Sequence, residues 1–447
     1  MATREGNLDA PTRHPLDWQA PDFWNKASLD QELERVFDIC HGCRRCFNLC
    51  NAFPTLFDAV DGSATGEVDG VPRAVFAKVV DECYLCDMCY MSKCPYVPPH
   101  PFNVDFPHLM LRAKAVRFRE EGAPLRSRIL SATDQVGSIA GIPVVAEIVN
   151  AITANPVGRL LLEKTLGVAR DAPLPRYASD TARQRIARQS VAPGTPVPAD
   201  AEAVNGTTGK VLLFTTCYGN RNLPSMVEDL VAVFRHNGIA VQISGSEQCC
   251  GMPKLELGDL ESVAKAKNAN VPELAGWVAQ GWDIIAPVPS CVLMFKQELP
   301  LMFPQDPQVQ AVAKAFFDPF NYLHLRHKGG KLRTEFKQSL GTVSYHVPCH
   351  LRVQNIGLKT RDVLQLVPGT TVEAIERCSG HDGTYGVKTE FRAASVKIAL
   401  PVAEQVAASK ADHFCSDCPM AGAQIAGLAG RHDHPHPIEL LRQAYGI

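Results

Sequence analysis

The sequence predicts an α+β multidomain protein, in which a helical domain with two cysteine clusters precedes two duplicated α/β repeats that are also rich in cysteine. Two observations predict this class. Eight of the 16 cysteines fall into two short runs near the N-terminus. Beyond residue 209, apolar runs with the length of buried strands alternate with helical apolar stripes, and the whole pattern occurs twice.

Length and charge narrow the function classes. The chain has 447 residues, enough for about three domains, and a formal net charge of −2, which indicates no nucleic-acid surface. Residues 1–18 lack the apolar core of a signal peptide, and no apolar stretch is long enough to span a membrane. Without an export signal, reduced metal-binding cysteines are favoured over disulfides, so we expect a cytoplasmic protein.

The two N-terminal cysteine runs have the spacing of iron–sulfur ligands. The first run is Cys40, Cys43, Cys46 and Cys50, and the second is Cys83, Cys86, Cys89 and Cys94. In two-cluster ferredoxins, three thiolates spaced i, i+3 and i+6 hold one cube, and the fourth comes from the other run. We therefore predict one [4Fe–4S] cluster on Cys40, Cys43, Cys46 and Cys94, and a second on Cys83, Cys86, Cys89 and Cys50. Structural zinc is the less favoured alternative, since it uses paired Cys-x-x-Cys knuckles.

The domain that carries these runs, residues 1–122, is predicted to be mostly helical. Residues 1–27 are expected to form a loose arm, and Ser28 with Gln31 reads as a capping box for a helix over 29–37. Further helices are predicted over 74–82 and 104–121. The second run has one residue more before its last cysteine than the ferredoxin pattern has.

Residues 123–208 are predicted to form a helical bridge and a linker. Residues 142–152 and 157–166 are helical and moderately apolar, whereas 169–209 are rich in Pro, Ala, Gly and Thr. The apolar helices have two interpretations. They are a structural bridge between domains, which we favour, or an amphipathic patch that rests on a membrane or on a membrane-bound partner.

The repeats are predicted over 209–335 and 336–447. In the first repeat, strands over 211–215, 239–243 and 283–288 lead to Cys217, to Cys249 and Cys250, and to Cys291. In the second repeat, strands over 343–347, 371–375 and 413–414 lead to Cys349, to Cys378, and to Cys415 and Cys418. Open α/β sheets bind ligands at the carboxyl ends of their strands, so both sets are candidate cofactor ligands.

These motifs resemble the duplicated cysteine-rich (CCG) domain. The stretches that carry the resemblance are Cys249-Cys250-Gly251, Pro348-Cys349-His350 and Gly383-Thr384-Tyr385-Gly386. The domain occurs in heterodisulfide reductase-related proteins, in lactate-utilisation iron–sulfur proteins and in the C subunits of anaerobic glycerol-3-phosphate dehydrogenases. That last family also joins a helical two-cluster ferredoxin domain to two CCG repeats. The resemblance implies an electron-transfer subunit that relays electrons from a partner flavoprotein dehydrogenase toward a quinone, with peripheral association at the inner face of the cell membrane.

Both repeats depart from the five-cysteine pattern of the family. Val288 stands where the Cys-x-x-Cys pair of the first repeat would begin, and Ser379 replaces the second cysteine of the Cys-Cys pair in the second. Each repeat then keeps four candidate thiolates, which suit one ordinary cube. The sequence leaves open whether the two repeats hold one or two further iron–sulfur clusters. The second repeat is favoured, because it keeps Cys415 and Cys418.

Other residues leave further alternatives. His346, His350 and His381 could each replace a missing thiolate, although a hydrogen-bonded structural role is the favoured interpretation. The chain has no dinucleotide or phosphate-loop motif, so a flavin would come from the partner, and we assign no catalytic residue. Two alternative functions remain: a disulfide reductase subunit, and an electron donor to a rubrerythrin-like peroxide-reducing di-iron protein.

Overall fold

A computed structural model describes residues 11–189, 201–245 and 247–447. Its N-terminal module is helical, as predicted. The helices are α1 (Lys26–Cys43), α2 (Ala52–Asp61), α3 (Arg73–Glu82) and α4 (Phe106–Glu121), with short 3₁₀ turns at Pro21–Trp24 and Val68–Gly70. The helix α1 begins earlier than predicted, because Asn25 rather than Ser28 is its N-cap and accepts a hydrogen bond from the Ser28 N–H at 3.0 Å.

The expected loose arm is wrong for residues 11–25. The Leu16 N–H donates to the Leu301 carbonyl at 2.9 Å, and the Trp18 indole donates to the Met302 carbonyl at 3.1 Å. Arg13 forms ion pairs with Asp87 and Asp105. Leu16 and Trp18 are buried. These contacts hold the segment between the helical module and the first repeat, while residues 1–10 lie outside the described part of the chain.

Five helices follow the first module. They are α5 (Leu125–Ser131), α6 (Thr133–Ala140), α7 (Pro143–Ala154), α8 (Pro156–Leu166) and α9 (Ala182–Arg188). The linker prediction missed α9, which begins with a capping box between Thr181 and Gln184. Residues 190–200 of the predicted linker lie outside the described residues.

Within the described residues, no single helix is both long enough and apolar enough to cross a membrane. One bent pair, Thr133–Ala140 with Pro143–Ala154, has sufficient length and composition when taken together, but its two helices meet at 106°.

The first repeat is an α/β unit with a parallel sheet of order β2-β1-β3-β4. Its strands are β1 (Lys210–Leu213), β2 (Ala240–Ile243), β3 (Asp283–Ile285) and β4 (Phe316–Phe317). Its helices are α10 (Cys217–Arg221), α11 (Pro224–His236), α12 (Met252–Leu257), α13 (Leu260–Ala279), α14 (Pro289–Leu293), α15 (Leu299–Met302), α16 (Pro307–Ala315) and α17 (Pro319–Lys328), with a π-helical turn at Met294–Glu298. The two-residue strand β4 was not predicted.

The second repeat has a parallel sheet of order β6-β5-β7, which matches the order β2-β1-β3 of the first. Its strands are β5 (Thr342–His346), β6 (Thr371–Ile375) and β7 (His413–Ser416). Its helices are α18 (Cys349–Arg352), α19 (Lys359–Leu364), α20 (Thr389–Ser409), α21 (Pro419–Leu428) and α22 (Pro437–Tyr445).

One large apolar core contains residues of the helical module and of both repeats, and a smaller separate cluster lies in the second repeat between its sheet and the helices α20 and α21. Gly258, at the end of α12, has φ +85°, and a Cβ there would lie 2.6 Å from the backbone carbonyl carbon of Lys114 in α4. The C-terminal helix α22 packs on the first repeat, where Arg442 pairs with Asp229 of α11 at 2.6 Å. The helical module and both repeats are therefore held in close contact.

Candidate iron–sulfur sites

The first cysteine run forms a small apolar pocket together with Cys94 of the second run. Cys40 and Cys43 lie in the last turn of α1, and Arg44 ends that helix in the left-handed conformation with φ +53°. The chain then turns back and brings Cys46 to the same side. The pocket is lined by Cys40, Cys43, Cys46 and Cys94, with Ile39, Arg45, Phe53, Phe57, Pro95, Tyr96 and Val104. Cys94 therefore lies with the first run.

The extra residue before Cys94 is accommodated by a π-helical turn at Cys89–Lys93. In this turn the Cys94 N–H donates to the Cys89 carbonyl at 2.9 Å, which closes a five-residue step instead of the usual four. The wider turn allows Cys94 to lie with the first run although the spacing is longer than the ferredoxin pattern.

The remaining cysteine of the first run, Cys50, lies with the second run. Burial raises the pKa of the Cys50 thiol well above its ordinary value, and the adjacent Cys83 sulfur adds to the rise. Burial does the same for Cys89, beside the sulfurs of Cys46, Cys83 and Cys50. Cys46 and Cys89 thus connect the two groups of sulfurs.

Backbone N–H groups point at several of these sulfurs. They lower the pKa of the thiol they reach and so partly offset its burial. The pairs are Ala52 and Phe53 to Cys50, Leu85 to Cys83, and Tyr96 and Val97 to Cys94. Leu85 and Asp87 adopt φ +55° and φ +61°, a left-handed backbone that is uncommon outside glycine. The loop geometry therefore supplies donors to charged sulfur.

The four cysteines of the first repeat form a connected group. Hydrogen-bonding contacts join Cys217 to Cys249, Cys249 to Cys250, and Cys250 to Cys291. The Cys249 N–H donates to the Asp134 carboxylate at 2.6 Å, so helix α6 of the bridge closes one side of the group. Burial raises the pKa of Asp134 to about 6.

In the second repeat, Cys349 and Cys378 lie together with Asp382. The two Sγ atoms and a carboxylate oxygen of Asp382 all lie within 4.8 Å of one another. Cys378 Sγ also accepts from the Gly380 N–H at 3.3 Å and lies 3.5 Å from the Tyr84 hydroxyl oxygen. The Cys86 sulfur of the N-terminal module is in hydrogen-bonding contact with Cys349. The N-terminal sulfurs therefore touch those of the second repeat.

The strand register corrects the predicted Cys-x-x-Cys pair of the second repeat. Leu213 pairs with Ile285 in the first sheet, and Tyr345 pairs with Cys415 in the second. Leu213 and Tyr345 each lie four residues before the first cysteine of their repeat, so Cys415 is the structural counterpart of Ile285.

Cys418 is then the counterpart of Val288. Each is the N-cap of the following helix, and a proline follows each at the first helical position. The counterpart of Cys291 is Ala421. The first repeat thus keeps four of the five family cysteines, and the second keeps three. The first repeat is therefore the better candidate for a further cluster, whereas the sequence favours the second.

Cys415 is fully buried in the apolar core on β7. Cys418 lies at the N-terminus of α21, where the N–H groups of Met420 and Ala421 reach its sulfur. Burial nevertheless raises the pKa of Cys418 to about 11. Cys418 therefore belongs with the candidate ligands, while Cys415 fills the core.

The three singled-out histidines have different surroundings. His346 Nδ1 lies 2.9 Å from the Ser416 hydroxyl, and its Nε2 lies 3.0 Å from the Arg377 carbonyl, which fits a structural role. His350 Nδ1 lies 2.8 Å from the Ser290 hydroxyl. Neither ring nitrogen of His381 has a hydrogen-bond partner among the described residues. Burial lowers the pKa of His381 to about 4.

Sequence reasoning missed four residues around these sulfurs. They are Tyr84, Lys114, Asp134 and Asp382. Lys114 is half-buried and donates to the Cys83 carbonyl, and desolvation lowers its pKa. Lys114 contacts the Cys83 loop and Asp134 contacts Cys249, and both lie on helices far along the chain from these cysteines. No spacing pattern in the sequence could therefore indicate these contacts. Asp382 did have a signal, since it lies four residues after Cys378 within a glycine-rich turn.

Comparison with known proteins agrees with this architecture. A family model for the cysteine-rich CCG domain matches residues 211–296 and 343–426, one match within each repeat. The C subunit of anaerobic glycerol-3-phosphate dehydrogenase from Escherichia coli is 29% identical over 350 residues, which are 77% of this chain and 83% of that protein.

Two other relatives match shorter parts. Lactate utilization protein A of Bacillus pumilus is 28% identical over 193 residues, 40% of this chain and 75% of that protein. The B subunit of fumarate reductase (CoM/CoB) from Methanothermobacter marburgensis is 26% identical over 230 residues, 50% of this chain and 43% of that protein. This chain therefore carries two CCG domains and is similar along most of its length to the C subunit of anaerobic glycerol-3-phosphate dehydrogenase.

Proposed function

We propose that the chain is an iron–sulfur electron-transfer subunit that relays electrons between a partner dehydrogenase and an acceptor. Iron–sulfur clusters accept and release single electrons when bound to thiolates. The residues that would hold two [4Fe–4S] clusters are Cys40, Cys43, Cys46 and Cys94, and Cys50, Cys83, Cys86 and Cys89. Four soft sulfur ligands with N–H groups aimed at them suit this cofactor.

One observation carries the proposal: the Cys86 sulfur contacts the Cys349 sulfur. Together with the neighbouring Cys46 and Cys89, this contact forms a continuous row of sulfur sites from the first cysteine run to the second repeat. Such a row suits an electron relay, because a relay requires redox centres at short distances from one another.

The row extends toward the first repeat. Burial raises the pKa of Tyr218, and the nearby Cys418 sulfur adds to the rise. Tyr218 follows Cys217, so the two repeats approach each other at their cysteine ends. We infer that Cys217, Cys249, Cys250 and Cys291 hold a further cluster, and that the second repeat uses Cys349, Cys378 and Cys418.

We assign the partner to the class of flavoprotein dehydrogenases and the acceptor to the quinones. The similarity to one component of a glycerol-3-phosphate dehydrogenase supports this assignment. Anaerobic co-purification with the clusters intact tests it. A co-purified flavoprotein supports the proposal, while a di-iron peroxidase as the sole partner would favour the alternative donor role.

The bridge helices supply a surface for membrane association. Large aliphatic side chains are exposed along α6, α7 and α8, among them Ile139, Val144, Ile148, Val157 and Leu161, which are 54–75% exposed. An aliphatic surface of this extent is unusual for a protein surrounded only by water. We propose that it lies against the headgroup and acyl boundary of a lipid bilayer, as interfacial helices do.

Vesicle sedimentation tests this surface. The double variant Val144→Glu, Ile148→Glu should bind lipid vesicles at least ten-fold more weakly than the wild type. The matched control is Leu400→Glu, because Leu400 is also an exposed aliphatic residue (41%) but lies on α20. Equal vesicle binding by the double variant and the wild type would rule out this surface.

The relay itself is tested by metal analysis and EPR spectroscopy. Protein purified without oxygen should contain at least about eight irons with matching acid-labile sulfide from the N-terminal module alone. Cys43→Ser should remove one of the two N-terminal EPR signals and leave the other. Zinc without sulfide would refute the proposal.

The disulfide reductase alternative has less support. Cys250 and Cys291 of the first repeat are 4% and 5% exposed, so a substrate sulfur has little access to them. Steady-state assays of the isolated chain with disulfides distinguish the two functions, and we expect no turnover.

A further inference from the structure

We propose that Asp382 is a metal ligand in the second repeat, where it replaces a missing thiolate and gives a metal centre of mixed thiolate and carboxylate ligation. This inference rests on the proposed function, since it concerns the cofactor site of the same relay. Cys349 and Cys378 supply the neighbouring thiolates, and we expect the metal to be iron of an iron–sulfur cluster.

The positions of the donor atoms carry this inference. A carboxylate oxygen of Asp382 lies within 4.8 Å of both Cys349 Sγ and Cys378 Sγ, and Asp382 Oδ2 is 3.5 Å from Cys378 Sγ. Three donor atoms thus converge on one small volume from two separate loops. In the structure the Cys378 thiol donates to Asp382 Oδ2, and a bound metal ion would take the place of the thiol protons, as metal binding to cysteine does.

The charge of Asp382 supports the same conclusion. Within the described ranges its carboxylate forms no ion pair, and its hydrogen-bond partner there is the Cys378 thiol. A second carboxylate lies beside the same turn, since a Cβ on Gly383 would lie 2.1 Å from a carboxylate oxygen of Glu256. An acidic, partly buried carboxylate beside two thiols is stabilised by a bound cation.

The rest of the repeat explains why a replacement ligand is needed. Ser379 stands at one missing cysteine, and its hydroxyl accepts from the His381 N–H at 3.4 Å within its own turn. Ala421 stands at the other missing cysteine and has no donor atom. Among the described residues, the Asp382 carboxylate lies within 4.8 Å of both Cys349 Sγ and Cys378 Sγ and can take the place of a missing thiolate.

The backbone directs Asp382 toward the cysteines. Asp382 has φ +36°, and Gly383 follows with φ +54°, so the chain turns sharply immediately after the Cys378 loop. A left-handed conformation at a residue other than glycine is uncommon, although Asp and Asn tolerate it better than most. Strain of this kind concentrates at functional sites.

Metal content and EPR after mild oxidation test the proposal. A carboxylate is a harder ligand than a thiolate and holds cluster iron less firmly. The wild type should therefore lose one ferrous iron and one electron from this site on mild oxidation and show a three-iron EPR signal, which added ferrous iron together with a reductant such as dithionite reverses. Asp382→Asn should not show the three-iron EPR signal on mild oxidation. If the variant loses the whole cluster, it should contain about four fewer irons per chain than the wild type.

Two further variants keep the test decisive. Asp382→Cys supplies a thiolate, so it should retain the cluster but no longer show the three-iron signal. Cys415→Val is the matched control, because it changes a buried cysteine of the same repeat to a residue like its counterpart Ile285, and it should behave as the wild type. The EPR signals of the N-terminal clusters should persist in all three variants and report correct folding.

Specific outcomes separate this proposal from the relay. If Asp382→Asn matches the wild type in iron, zinc and oxidation behaviour, Asp382 is not a ligand, even though the relay stands. If Asp382→Asn loses zinc rather than iron and sulfide, Asp382 is a ligand of a single zinc ion and the expected iron is wrong. Absence of the N-terminal signals from the wild type would instead refute the proposed function.

Discussion

Replacement of Arg13 by Met should destabilise the protein far more than its place near the N-terminus would lead one to expect. The Arg13 guanidinium lies 2.6 Å from Asp87, 2.8 Å from Asp105 and 3.5 Å from Glu298. Its side chain is 11% exposed, and those of Asp87 and Glu298 are 5% and 6% exposed. One cation therefore neutralises carboxylates from both the helical module and the first repeat.

The expected loss of unfolding free energy in Arg13→Met follows from the buried carboxylates that lose their guanidinium partner. Removing one partner of a buried ion pair typically costs about 3–5 kcal/mol, because the other charge stays buried and unpaired. The matched control is Arg35→Met, since Arg35 pairs with Glu32 where both side chains are largely exposed, 41% and 36%. Pairs of that kind contribute under about 1 kcal/mol.

The assay is thermal unfolding followed by circular dichroism under anaerobic conditions. With an unfolding entropy of about 2.1 cal/mol/K per residue, a cost of about 3–5 kcal/mol should lower the unfolding temperature by roughly 3–5 °C, whereas Arg35→Met should lower it by roughly 1 °C or less. Equal shifts for the two variants at pH 8 would refute the reasoning about buried charge.

The pH dependence provides a second check. Burial alone would raise the pKa of Asp105, but Arg13 overcomes it and the pKa is lowered to about 2. The wild-type Asp105 therefore stays ionised between pH 8 and 6. In Arg13→Met the buried carboxylates lose the guanidinium and keep only His108, which lies 3.2 Å from Glu298 and 3.5 Å from Asp105. Their folded-state pKa values should then rise above the unfolded values, so the variant gains stability as pH falls through those values. The difference between variant and wild type should narrow from pH 8 to pH 6.

Three further changes test the packing and ligand assignments. Cys94→Ser should remove the same EPR signal as Cys43→Ser, since Cys94 lines the pocket of the first run; loss of the other signal would contradict the exchange of ligands between runs. Gly258→Ala should destabilise by about 1–3 kcal/mol, because of its φ of +85° and its contact with α4, whereas Gly276→Ala, in an open helical position, should be neutral or stabilising by thermal unfolding. Cys418→Ser should lower the iron content as measured by metal analysis, and a wild-type value would remove Cys418 from the ligand set.

Much of the architecture follows from local pattern. The strand over 371–375 forms with the predicted bounds, and the helices predicted over 74–82 and 104–121 form within two residues of them, because apolar spacing and nearby caps act within a few residues. The duplication can also be recognised from the sequence, because each copy has to bury the same faces of its sheet and therefore repeats the same order of apolar runs. Local pattern could not reveal the packed arm at residues 11–25, because the carboxylates that hold Arg13 lie far along the chain.

The sequence by itself determined that this protein has two ferredoxin-like cysteine runs and a duplicated cysteine-rich α/β unit, because thiol spacing and apolar periodicity are local properties. Only the tertiary structure decided which cysteines correspond between the repeats. Counting residues equated Cys415 with Val288, whereas the strand pairing of Tyr345 with Cys415 places it at the position of Ile285. The structure likewise brought Asp382 to Cys349, since the distance between two loops depends on how their strands pair and not on their separation in the chain.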